Sequence, residues 1–239
     1  MADERTLACR LLYPMEYDSF AGSNCQIVGP DTMTAIREET GMSKRYTVAI
    51  LYCLIGIVSG CAQMKETSLP RALPPPEGKS QIVFVRPDWT TNSAVVFDVT
   101  AGKPEFIGFL PGVTRVAYVT EPGEHTFMVT SEAADFMKAE LAPNKTYYSI
   151  AYSRFGLIQE RYSLLPVCKV RSCDFTSPSK EFDVLLKEST LVENTEGSRA
   201  DAADDMDGFI ALQQSYWPKW QRKSPAGKLE RTLLSEDGH

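Results

Sequence analysis

Seven short β-rich runs, each closed by turn residues and spaced at roughly 8–12 residues, restrict what this chain can fold into. They cover 81–86, 94–99, 106–110, 113–120, 125–131, 136–141 and 145–153. The breaks between them carry Pro87-Asp88, Ala101-Gly102-Lys103-Pro104, Pro111-Gly112, Glu121-Pro122-Gly123-Glu124 and Pro143-Asn144. Strands at this spacing, with no helical pattern between them, predict a sandwich or barrel rather than βαβ units. A further strand over 158–167 fits the same series. The expected fold class is therefore mainly β, a small antiparallel β-sandwich over 79–186. A short C-terminal helical segment follows, because Phe209, Leu212, Tyr216 and Trp220 recur at helical spacing within 208–223. Pro218 interrupts that stripe, which favours a kink or two short helices over one rod.

A second pattern sets the compartment. Met42-Ser43-Lys44-Arg45 gives a basic start, 47–60 is an apolar run, and small residues precede Cys61. This is the three-part layout of a secretory signal over 42–60, with an apolar core shorter than the roughly 18 residues of a spanning helix. The rival reading is a membrane anchor, since no charge falls between Arg45 and Lys65; Gly56, Ser59 and Gly60 and the lack of an immediate basic stop favour the signal. Val58-Ser59-Gly60-Cys61 resembles the lipobox of bacterial lipoproteins. That resemblance implies cleavage between Gly60 and Cys61, acylation of Cys61 (palmitate being a usual acyl group) and stable membrane anchoring through several chains. Ala62 after the cysteine implies, for a Gram-negative envelope, sorting to the outer membrane, facing the periplasm. The mixed leader 1–41 then precedes the working start; a mis-assigned reading frame explains it better than a cytoplasmic regulatory segment.

Beyond Cys61, the stretch 61–78 holds Pro70, Pro74, Pro75 and Pro76 and reads as an extended tether of up to roughly 50 Å. The stretch 187–207 is polar and acidic and reads as a flexible linker, and 224–239 as a loose tail.

Within the β region the chain resembles a domain of unknown function found in bacterial lipoproteins. Ile82-Val83-Phe84-Val85-Arg86-Pro87, Pro122-Gly123-Glu124-His125-Thr126 and Asn144-Lys145-Thr146-Tyr147-Tyr148 carry the likeness, which covers about 78–167. Asn144 stands where that family has Gly, and Asn tolerates the left-handed turn position. The resemblance implies a small β-sandwich and supplies no catalytic residue.

Chemistry is sparse. The chain has 25 basic and 31 acidic residues, so it lacks the basic face of a nucleic-acid binder. His125 and His239 are its histidines, no pair of cysteines reads Cys-x-x-Cys, and no metal-ligand spacing arises. No nucleophile elbow, phosphate loop or zinc-protease helix is present, so no cofactor or metal is expected. His125 as a general base, or Glu132 with Asp135 as an acid–base pair, competes with plainer readings: a strand-entry histidine with a satisfied ring, and a solvated loop edge. Trp89 is a candidate partner contact, against the commoner role of covering a sandwich end. Cys9, Cys25 and Cys53 leave with the leader and signal and Cys61 is taken by lipid, so Cys168 and Cys173 remain to form a disulfide across a hairpin turn. The alternative is two unlinked thiols.

The leading functional expectation is a non-enzymatic, lipid-anchored envelope protein that binds or positions another envelope protein or a cell-wall component. An envelope hydrolase or sugar-processing enzyme using acidic residues is the first alternative, and a structural spacer the second.

Overall fold

The computed structural model describes residues 64–89, 92–154 and 161–239. The leader, the signal, Gly60 and Cys61 lie outside the described residues.

The strands grow from the runs named above: β1 Lys65–Glu66, β2 Ser80–Val85, β3 Ala94–Asp98, β4 Glu105–Leu110, β5 Thr114–Thr120 and β6 Gly123–Thr130. They continue with β7 Ala134–Leu141, β8 Thr146–Arg154, β9 Arg161–Cys168 and β10 Phe175–Thr176. Helix α1 Lys180–Glu188, β11 Thr190–Glu193, α2 Glu196–Asp204, α3 Met206–Gln221, α4 Pro225–Leu229 and β12 Thr232–Leu233 complete the order, with a 3-10 turn at Ser235–Asp237. The protein is mainly β, as expected.

Two sheets result, ordered β1-β11-β5-β2-β8-β9-β10 and β12-β7-β6-β3-β4. The chain alternates between them: β2 in the first, β3 and β4 in the second, β5 back in the first, β6 and β7 in the second, β8 and β9 in the first. The consecutive pairs β3–β4, β6–β7 and β8–β9 are antiparallel, whereas β2 and β8 meet only after these excursions and pair parallel. The sheets are accordingly mixed rather than wholly antiparallel, with β11 on β5, β12 on β7 and β10 on β9 also parallel.

Alternation places Ile82 and Phe84 of β2, with Ala94 and Val96 of β3, in the core between the sheets. Phe84 and Phe127 meet there edge to face, ring centroids 5.2 Å apart. The opposite faces are buried too. Val83 and Val85 pack with Ile150, Leu165, Val167 and Phe182 of α1, and Val95 and Phe97 pack with Met128, Phe136 and Trp220 of α3. Four layers follow: α1, the seven-stranded sheet, the five-stranded sheet and α3. This explains why β2 and β3 are buried along their whole length.

Helix α3 is a single element that runs on past Pro218, not two short helices. Pro218 lacks the N–H that would reach the Gln214 carbonyl. Aromatic packing on the sheet outweighs that loss: Phe209 lies 4.7 Å from Phe97, Trp217 lies 5.0 Å from Phe136, and Trp220 Nε1 donates to the Phe136 carbonyl at 2.8 Å.

Three expectations fail at the periphery. The stretch 187–207 is not a flexible linker: it holds the end of α1, then β11 with buried Leu191 and Val192, then α2, capped reciprocally by Thr195 and Ser198. The stretch 224–239 is not loose, because Leu233 is buried in β12 and His239 exchanges two backbone hydrogen bonds with Thr146, each 3.0 Å. From Met64 onward the segment up to 78 is no free tether either. Met64 packs on the inter-sheet core, β1 pairs with β11, and Ala72 packs beside Phe182. Each stretch is polar on average, and a few side chains and backbone bonds hold it down.

If α3 is a structural layer, Trp220→Ala costs about 3–5 kcal/mol of unfolding free energy. Urea denaturation measures it; a loss below about 1 kcal/mol would show that α3 does not cover the sheet.

Candidate functional site

His125 enters β6 directly after the Pro122-Gly123 turn, opposite the end of β3. Its Nδ1 lies 2.9 Å from Asp98 Oδ2, and its Nε2 lies 2.9 Å from the Glu121 carbonyl oxygen. Both partners only accept, an arrangement that the doubly protonated imidazolium satisfies and that either neutral tautomer leaves half unmet. Asp98 Oδ1 also accepts from the Thr100 amide at 2.8 Å, and the His125 ring stacks on Phe127 at 5.7 Å. Burial pushes the His125 pKa down, but the Asp98 hydrogen bond, the Glu121 carbonyl and the Asp98 charge outweigh it and leave it raised. Asp98 is raised by burial and lowered by its bonds to His125 and Thr100, and ends below the usual value. A ring whose two nitrogens are both engaged is a clasp between β3 and β6, and in its protonated form it has no lone pair to accept a proton.

Glu132 and Asp135 are not a solvated edge. Glu132 pairs with Arg161 at 3.2 Å, and Asp135 Oδ2 receives Arg231 at 3.4 Å and Arg154 at 3.7 Å. These ion pairs join the β6–β7 turn to β9, and β7 to the end of β8 and the segment before β12.

Trp89 does not cover the sandwich end; it is 78% exposed. Its ring lies against Gly112, where an added Cβ would come within 2.6 Å of the indole and where φ is +62°, so the turn demands glycine twice over. Beneath it, the fully buried Arg86 guanidinium donates to the Asn92 and Leu110 carbonyls at 2.8 and 2.6 Å, pairs with Asp88 at 3.1 Å and stacks over Tyr162. Asp88 in turn accepts from the Ser153 hydroxyl. Trp89 thus follows a segment that Arg86 and Asp88 bond to β4 and β8.

Cys168 and Cys173 form a disulfide with Cα atoms 5.9 Å apart. The turn between them is not a hairpin: β10 runs parallel to β9, with Thr176 beside Cys168. Asp237 steadies the loop by accepting from the Lys169 amide at 3.0 Å and pairing with Arg171 at 3.6 Å.

Among the described residues, clefts open at two places that bear on the site. One, about 500 Å³, lies between the β3–β4 turn and α3, lined by Gly102, Pro104, Ile210, Gln213, Trp217 and Pro218 among others. The other, about 400 Å³, lies between the 67–71 strap and the end of α1. Sequence reasoning missed the second, whose key residue is Arg115 of β5. Its guanidinium is buried and donates to the carbonyls of Pro70 (2.6 Å), Leu186 (2.8 Å) and Ser189, and to the Ser189 hydroxyl (3.0 Å). The one available signal was a charged residue at an inward position of an otherwise apolar strand. Among the described residues no group of three His, Cys, Asp or Glu is placed to hold a metal, and no helix is long and apolar enough to cross a membrane.

The clasp at His125 has a pH signature. Its raised pKa means that its stabilisation is complete below the unfolded value near 6.5 and is lost as pH rises through the folded value. Melting temperature should therefore fall on going from pH 6 to pH 9, and His125→Gln should flatten that slope. An unchanged slope in the variant would refute the cationic clasp. No family model matches this chain, and no curated protein matches it.

Proposed function

We propose that this is a lipid-anchored protein of the bacterial cell envelope, resident at the outer membrane and facing the periplasm, that binds or positions another envelope component rather than transforming a substrate. The observation that carries the reading is Val58-Ser59-Gly60-Cys61 behind a basic start and an apolar core. The Cys168–Cys173 disulfide supports it, because such bonds persist outside the reducing cytoplasm. A binding role is favoured over acid–base catalysis by the bonding of the titratable candidates: both His125 nitrogens are engaged, and Glu132 and Asp135 are tied to arginines. Trp89 supplies the contact, being a large exposed ring on a braced loop, the kind of residue that dominates protein interfaces. The partner is an envelope protein or a cell-wall component. The bare spacer is disfavoured because the segment from Met64 packs on the domain instead of extending it.

Cells fed radiolabelled palmitate should label the protein and not its Cys61→Ser variant. Label retained by the variant, or absent from the unmutated protein, overturns the anchor. Trp89→Ala should lower recovery of the bound envelope component by roughly tenfold or more in pull-downs from solubilised envelope. Equal recovery removes Trp89 from the interface.

A further inference from the structure

The cleft between the strap 67–71 and α1 concentrates positive charge in an acidic chain. Arg71, Arg115 and Lys187 line it, and no Asp or Glu does. Among the described residues, none of the three forms an ion pair, although the chain carries 31 acidic residues against 25 basic. Arg115 is 4% exposed and every acceptor it bonds is a neutral carbonyl or hydroxyl oxygen. Two of those carbonyls belong to the end of α1, whose dipole offsets roughly half a unit of charge. Arg71 and Lys187 remain as exposed cations at the mouth. Arg71 stands near enough to Arg115 for the two charges to repel. A buried guanidinium at the floor with two exposed cations at the rim strengthens the field that an arriving anion meets.

The position of this cleft says where the anion comes from. Cys61 is three residues before Met64, and Met64 already packs on the core. Three residues span at most about 10 Å, so an acylated Cys61 would keep the β1 edge of the domain within about that distance of the lipid surface. The strap that forms the cleft wall begins at that edge and presents Leu69 at 42% exposure, and Leu73, two residues beyond it, is 63% exposed. Apolar side chains beside cations are what a membrane interface accepts, the leucines entering the acyl boundary while the cations meet headgroup phosphates.

Resting on the lipid-anchor reading above, we propose that the Arg71–Arg115–Lys187 cleft binds the phosphate of an anionic phospholipid headgroup in the membrane that carries the anchor. Arg71 takes two phosphate oxygens through its planar fork, Lys187 supplies a second charge, and Arg115 holds the strap and α1 in place while contributing its field.

The test uses the full chain with Cys61→Ser, so that lipidation plays no part and the 47–60 segment is the same in every sample. Binding is measured by flotation with vesicles of phosphatidylcholine containing about a third phosphatidylglycerol, and with phosphatidylcholine alone. Arg71→Ala with Lys187→Ala is compared with Lys219→Ala with Lys223→Ala, which removes the same charge from the α3 region. Each membrane-facing cation is worth about fivefold, so the cleft pair should lose roughly 25-fold on anionic vesicles, little on neutral ones, and the control pair little on either. Raising salt to about 1 M should shrink the difference. Equal losses in the two pairs would reduce the effect to net charge and overturn the site. A cleft that raises the melting temperature with inorganic phosphate, yet shows no cleft-dependent vesicle binding, takes free phosphate and overturns the membrane assignment. Palmitate labelling reads the anchor separately: failure there with cleft-dependent flotation intact removes the anchor and leaves the lipid site standing.

Discussion

A strand with apolar side chains on both faces needs a cover on each side, and β2 and β3 are both of this kind. Ile82 and Phe84 are satisfied by the opposing sheet, but Val83 and Val85 remain, and the same holds for Val95 and Phe97 in the partner sheet. The two outer helices are the answer to that demand. Helix α1 places Phe182 over Val83 and Val85, and α3 places its aromatic stripe over Val95 and Phe97. Deleting either helix would expose a continuous apolar face, at about 25 cal/mol per Å². This is why α3 tolerates Pro218: the lost backbone bond is worth about 1 kcal/mol, and each aromatic anchor on Phe97 or Phe136 is worth more.

Polar side chains then hold the segments that hydrophobic burial cannot. Arg86 ties Asn92 to Leu110 of β4, Arg115 joins the strap to the end of α1, and Asp237 ties the last residues to the disulfide loop. Each is a buried charged group bonded to backbone atoms of segments distant in sequence. The loss of any one would leave carbonyl or amide groups without partners in a low dielectric, which costs more than the bond itself contributes. They pin conformation more than they add stability.

The same division explains what could be read in advance. The seven main runs were legible because each is long enough to show β-rich composition between turn residues, and Asn144 was legible as a left-handed turn residue, found at φ +62° with its side chain accepting from Gly78. The helical stripe from Phe209 to Trp220 was legible from spacing. The outer covers and clefts were less so. Ile82-Val83-Phe84-Val85 is apolar without alternation, which already signals two buried faces, but nothing in it says which segment supplies the second cover. Arg115, central to the basic cleft, sits in β5 like any strand arginine until the strap and α1 close around it. The His125–Asp98 clasp is 27 residues apart in sequence and exists only through the pairing of β3 with β6.

The least legible parts are those that finish the sheets. Three of the four sheet edges end in two-residue strands, β1, β10 and β12, too short to show any period. At the fourth, β4, the Asn194 side chain donates to the Ile107 carbonyl at 2.9 Å, and Gly108 lies where a Cβ would come within 3.1 Å of Val116 and 3.3 Å of Met64. A long, flat, unpaired edge invites another strand, and short strands or a side chain on the edge carbonyls remove that invitation. Segments that hydropathy marks as tether, linker and tail are therefore the pieces that close the sandwich. Because β1 is one of them, the strand that blunts one edge of the first sheet is also, among the described strands, the first in the chain, so edge protection there falls to a segment whose own sequence shows no period.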